Sequence, residues 1–160
     1  MADDPHTCDL NGRPVGRSRR ERLAARLGRR RVATGLTVDD PALTLIVQST
    51  DDAVSSATAL ASSTWRPGLQ IVLRHVLSLP PARVAAAVEV AALDRYTQLP
   101  AQTGPKFPGV HAGLGRELVV LARVQELDAL HLSQERSRMA SLGSRHGGSA
   151  LGWQVLGRDG

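Results

Sequence analysis

Cys8 is the single cysteine in 160 residues, which leaves no partner for a disulfide within the chain and no multi-cysteine zinc site. Aromatic residues are nearly as scarce. Trp65, Tyr96, Phe107 and Trp153 are all there are, so a core has to be built from Leu, Val and Ala. Long apolar runs are missing too: the longest stretch free of Asp, Glu, Lys and Arg is the 13 residues from Ala53 to Trp65. That is well short of the roughly 18–20 apolar residues a membrane-spanning helix needs, and no transmembrane segment is expected. The N-terminus carries Asp3, Asp4 and Asp9 in place of the basic-then-apolar layout of a secretory signal. The expectation is a protein that stays in the cytosol or nucleus, with the cytoplasm as the assigned location.

What is present is skewed. Gly, Ala, Arg and Pro supply 64 residues, whereas Phe, Tyr, Met, Ile, Asn and Lys together supply 8. A GC-rich coding sequence explains that bias, so no single Arg or Ala counts as chosen for a purpose. The length suits one domain, which at this size buries roughly 68–70% of the surface of its unfolded chain.

The net charge of +5 is unevenly placed. Residues 1–11 carry three Asp and no base; residues 12–35 carry nine Arg against Glu21; residues 36–160 balance eleven bases against eleven acids. A partner recruited by charge would therefore be met at the N-terminal arm. Within it, Ser18 and Glu21 fit a capping box that opens a helix over about 19–33. Leu23 and Leu27 are its only strong apolar positions, and Gly28 costs about 1 kcal/mol against Ala. Such a segment is expected to be flexible alone and ordered by a partner. Arginine offers a planar fork of donors that matches phosphate oxygens, which gives Arg17, Arg19, Arg20, Arg22, Arg29, Arg30 and Arg31 a physical reason to contact nucleic acid. The plainer reading is a solvated basic tail in an Arg-biased chain.

For the body, the spacing predicts an all-α fold of four or five helices. Ala42–Thr50 reads as a short strand or the start of a helix, and a narrow stripe of Ala53, Val54, Ala57, Leu60 and Ala61 follows. Leu69 to Leu79 is apolar on nearly every side and reads as the central helix after Pro67. Ala85, Val88, Ala92, Tyr96 and Leu99 recur at helical spacing after Pro80-Pro81. Pro100 to Gly113 must be a loop. Leu114 to about Leu132 reads as a further helix, continuing or restarting at Ser133 and stopping near Gly143. The expected organisation is an arm over 1–35, a helical domain over 36–142 and a Gly-rich tail over 143–160.

Catalytic and metal motifs fail on their spacing. The five His residues are dispersed, and His75 reads as a hydrogen-bonded core histidine. Gly113-Leu114-Gly115 lacks the third glycine of a dinucleotide loop, because Leu118 stands there; Lys106 lacks the glycine spacing of a phosphate-binding loop, and Phe107 follows it. Gly147 to Leu151 fails the nucleophile elbow at Leu151. The Lys106–His111 loop, with one base and one imidazole, reads as an ordinary surface loop. A helix-turn-helix over Val84–Val90, which would make Arg83 and Arg95 the reading residues, lacks its turn glycine at Glu89 and gives way to one long helix.

The expected function is thus non-enzymatic nucleic-acid binding through the arm, DNA or RNA undetermined, with no cofactor and no metal. The alternative is a helical oligomeric assembly or adaptor protein, since an apolar Leu69–Leu79 helix leaves room for a homo-oligomer. A third reading, that no function was selected, predicts a weakly helical chain without a cooperative melt.

Overall fold

The computed structural model of the protein describes residues 7–16 and 35–158. Seven strands in two antiparallel sheets and three helices among these residues overturn the all-α helical bundle. Strands β1 (Thr7–Cys8) and β2 (Pro14–Val15) form a small hairpin. The body runs β3 (Leu43–Ser49), α1 (Ser56–Ala61), β4 (Ile71–Leu79), α2 (Pro81–Leu93), β5 (Thr97–Leu99), β6 (Glu117–Gln125), α3 (Ala129–Arg145) and β7 (Ser149–Arg158). The five-stranded sheet has the order β3-β7-β4-β6-β5, every neighbouring pair antiparallel.

From β4 onward this is the split β-α-β-β-α-β arrangement of ferredoxin-like folds. Helix α2 carries the chain past β6 to β5, α3 carries it past β4 to β7, and β3 widens the sheet at the β7 edge.

The central strand explains the largest correction. All nine residues of β4 are buried, because it pairs on both sides and is covered on both faces. A run that is apolar in every direction suits a central strand as well as a buried helix, and periodicity cannot separate the two. The apolar surface that suggested self-association is therefore buried within the chain itself. The expected 114–132 helix is β6 followed by the start of α3: Leu118, Leu121 and Val124 lie three apart, as on a helix, but they sit on opposite faces of a strand. The helix expected after Pro80-Pro81 forms as α2 with Pro at its first position, but ends at Leu93.

The segment expected to be a Gly-rich tail carries β7, which lies between β3 and β4. Its glycines mark close approach rather than looseness. A Cβ on Gly148 would overlap the Ser78 carbonyl, and one on Gly143 would stand 2.9 Å from the Ser149 carbonyl carbon. Gly148→Ala is accordingly expected to destabilise by about 3 kcal/mol, the upper end for overpacking. Urea denaturation checks it; a loss below about 0.5 kcal/mol would mean that the turn into β7 yields freely.

Alternation along β4 and β6 sorts the core into two layers. Ile71, Leu73, Leu77, Val119 and Leu121 face the helices, packing with Leu132, Met139, Leu142, Ala87 and Ala91. Val72, Val76, Val120, Ala122 and Leu156 face the other way, where Leu36, Val38, Phe107 and Val110 cover them. The loop expected over Pro100–Gly113 thus lies across the second sheet face. Its Phe107 and Val110 are packed, and the carbonyls of Pro105 and Lys106 accept hydrogen bonds from Gln154 at 3.3 and 3.1 Å. Among the described residues no helix is long and apolar enough to cross a membrane.

Candidate anion-binding cleft

The seven arginines expected to contact phosphates, Arg17, Arg19, Arg20, Arg22, Arg29, Arg30 and Arg31, and the helix expected over 19–33, lie outside the described residues. The described structure instead gathers arginines that sequence reasoning left scattered. Arg13, Arg95, Arg123 and Arg138, with Asn11, Leu93 and Asp94, line a polar cleft of about 260 Å³.

Each wall has a local cause. The hairpin turn is closed by Asp9, whose Oδ1 accepts the backbone N–H of Asn11 and of Arg13, both at 2.8 Å. Those bonds, led by the one from Arg13, hold the Asp9 carboxyl below its usual range. The hairpin is fixed to the body by Cys8, whose N–H donates to Gln70 Oε1 at 2.7 Å and whose carbonyl accepts Gln70 Nε2 at 2.6 Å. Leu10 accepts from Gln125 Nε2 at 3.1 Å. Gly12, at φ +68°, lies directly against the Arg123 side chain and has no room for a Cβ. Burial, followed by the neighbouring Asp9 charge, pushes the Cys8 thiol up.

The opposite wall is the end of α2. The N–H of Arg95 donates to Ala92 and that of Tyr96 to Ala91, the paired bonds of a Schellman closure. That closure puts the residue after the cap in the left-handed region, where glycine is the usual occupant, yet Arg95 sits there at φ 65° and is the sole non-glycine residue with positive φ among those described. An L-residue in this conformation costs about 1–2 kcal/mol. Strain of this kind, at an arginine facing a cleft, is an observation from which function can be argued.

The floor is a buried ionic network. Arg123 and Glu135 are each 3% exposed and pair at 3.2 Å. Arg123 also donates to Gln125 Oε1 at 2.6 and 2.8 Å and to the Asp94 carbonyl at 2.9 Å, and its guanidinium stacks 4.6 Å from the Tyr96 ring centroid. Tyr96 donates its hydroxyl to Glu135 Oε2 at 2.7 Å; burial first, and the nearby Glu135, push its pKa well above the ordinary phenol value. Arg138 pairs with Asp94 at 2.6 Å, which raises the guanidinium pKa further.

Arg123 and Arg138 are thereby committed to internal partners. Arg13 and Arg95 are exposed, and among the described residues their side chains have no hydrogen bond or ion pair. Four guanidinium groups face the three carboxylates of Asp94, Glu135 and Asp9, which leaves one positive charge in excess. The cleft can take an anion by direct donation from Arg13 and Arg95, with the buried pair holding the floor rigid.

Of the other candidates, Arg83 lies on the first turn of α2, away from this cleft, so the two residues of the helix-turn-helix reading are separated. His75 is fully buried on β4 without an acceptor or donor for Nε2. His111 is exposed on the 100–113 loop and His131 contacts Asp128 at 2.8 Å. Sequence reasoning missed the floor: the spacing of Glu135 and Arg138, three apart in a helical stretch, could have paired them, but spacing alone does not show that Glu135 is buried. No protein-family model, curated protein or solved structure matches the chain.

Proposed function

We propose that the protein is a non-enzymatic nucleic-acid-binding protein that holds phosphates with arginines on two adjoining segments. The first is the run from Arg17 to Arg31; the second is the cleft, where Arg13 and Arg95 hold one phosphodiester. The single observation that carries the reading is an excess positive charge in a formed cleft, donated by unpaired arginines and kept there at the cost of a strained Arg95. Arg13 adds a second support: it immediately precedes β2, and the arginine run begins at Arg17, directly after Gly16. Phosphodiester chemistry suits both parts, since each phosphate carries one negative charge and oxygens that a guanidinium meets in pairs. The arm supplies affinity without sequence readout.

The test is fluorescence anisotropy of labelled single strands and duplexes at several salt concentrations. Replacing Arg13 by Ala and Arg95 by Gly together should flatten the log–log salt slope on duplex by about 1, because the one phosphate they neutralise contributes roughly 0.9. Replacing the seven arm arginines by Gln should flatten it further. Arg95→Gly separates binding from folding, since glycine relieves the left-handed strain and should leave the protein as stable or up to about 1 kcal/mol more stable. Binding that is insensitive to salt, or unchanged in both sets of variants, overturns the proposal.

A further inference from the structure

On the other face of the sheet, Arg74 of β4 is 2% exposed and has no carboxylate partner among the described residues. Its Nη1 donates to Gln154 Oε1 at 3.0 Å and to the Pro105 carbonyl at 3.2 Å, its Nη2 donates to the Thr103 carbonyl at 2.6 Å, and Phe107 lies 5.5 Å from its guanidinium carbon. All of these partners are neutral, and its buried Nε–H has no acceptor at all. Buried charges are ordinarily paired with an opposite charge, because leaving water costs several kcal/mol per ion. Arg123, nearby in the same sheet, follows that rule; Arg74 does not.

Arg74 forms part of the wall of a pocket of about 240 Å³ between the 38–43 segment and the 103–104 turn. Val38, Leu43 and Leu156 give it an aliphatic lining, and Asp39 and Asp40 stand in its wall as well. Asp40 is committed to Arg158, whose Nε donates to it at 2.6 Å. Asp39 is exposed, and no partner for its carboxylate is found among the described residues. The pocket therefore combines a buried cation in need of a counter-ion, an apolar middle and an unspent carboxylate.

We infer that this pocket binds a small zwitterion, an aliphatic amino acid, whose carboxylate pairs with Arg74 and whose ammonium group meets Asp39. The charges explain the class. A simple carboxylate would satisfy Arg74 but would face Asp39, and a simple amine would face Arg74. The volume admits a branched or linear chain of four to six carbons, and Val38, Pro41, Leu43 and Leu156 make most of the lining between the charges apolar, with the Thr103 hydroxyl its one uncharged polar side-chain group.

The full chain, labelled with nitrogen-15, is titrated with leucine and valine, and with 5-aminovalerate and 6-aminohexanoate, which carry the same two charges further apart. The comparison compounds are 4-methylpentanoate, which lacks the ammonium group, and leucinamide, which lacks the carboxylate. At least one zwitterion should shift amide signals at 38–43 and 103–106 in a saturable manner, and removal of either charge should weaken binding at least tenfold. Asp39→Asn, at an exposed site where folding is not at risk, should weaken the zwitterion at least tenfold and strengthen 4-methylpentanoate, which no longer faces a like charge. Arg74→Met should abolish binding, read only if its thermal melt stays cooperative. No saturable shift with any zwitterion, shifts confined to the Arg13–Arg95 cleft, equal binding of 4-methylpentanoate, or full binding by the Asp39 variant each overturns the inference. The phosphate reading is untouched by any of these outcomes, since no residue is shared between the two sites.

Discussion

Replacing Glu135 by Ala should cost about 3–5 kcal/mol of folding stability, a large part of the roughly 5–15 kcal/mol that a domain has. The carboxylate neutralises Arg123 at 3.2 Å where both are buried, and it accepts the Tyr96 hydroxyl. Without it, a guanidinium stays in the core with only neutral oxygens around it, and a buried hydroxyl loses its acceptor. The cost lies in the orphaned charge rather than in the attraction removed, which makes a second expectation: Glu135→Leu combined with Arg123→Met should recover most of the loss, because an apolar pair avoids desolvating two ions. Urea unfolding of the two single variants and the double variant, closed as a cycle, measures this. A Glu135→Ala loss under about 1 kcal/mol, or a double variant as unstable as the sum of the singles, would show that the pair is hydrated and not buried. The same variants report on the cleft, since Arg123 also bonds to the Asp94 carbonyl and packs beneath Gly12. Loss of phosphate affinity in a folded Arg123→Met, Glu135→Leu protein would place the network in a positioning role for Arg13 and Arg95.

How much of this was legible in the sequence follows from what each signal can carry. Helix α2 was legible because it is amphipathic and because proline marks its start. Strands β4 and β6 were not, because a strand covered on both faces loses the alternation that distinguishes it, and its apolar residues then satisfy helical spacing by chance. β7 was hidden by glycine. Gly148, Gly152 and Gly157 read as a loose tail, although each stands where a Cβ would meet a neighbouring strand or its connection. The cleft was hidden for the opposite reason. Arg95 occupies a position where glycine would have announced the end of α2, and so the helix was extended to Leu99. Arg123, within the stretch that reads as the 114–132 helix, faces α3 from the inner side of β6. Only the excess of arginine over acid near the N-terminus was visible in advance, and of that run Arg13 alone lies among the described residues, where it lines the cleft.

The same buried layer makes the fold sensitive to acid, and His75 is the expected origin. Its ring is 2% exposed, 5.9 Å from the Tyr96 ring and edge-on to it, with Nε2 unpartnered. Burial first, and the Arg123 and Arg136 charges second, lower its pKa from 6.5 to about 3. Between those two values the unfolded chain binds a proton at His75 that the folded chain refuses. Stability must therefore fall as pH falls through that window, by about 1.4 kcal/mol per pH unit and by up to about 5 kcal/mol over the whole of it. Asp9, Asp40 and Asp128, whose pKa values are also lowered, add their losses only near and below pH 4. The interval from pH 6.5 to 4.5 isolates the histidine. Leucine at position 75 keeps much of the volume and has no nitrogen to protonate, so urea denaturation of the wild type and His75→Leu at pH 7.5 and pH 5 should show the variant gaining about 2 kcal/mol relative to the wild type between the two. Curves that run parallel would mean that the imidazole takes its proton without unfolding the sheet, and that the space between β4 and the helices admits water.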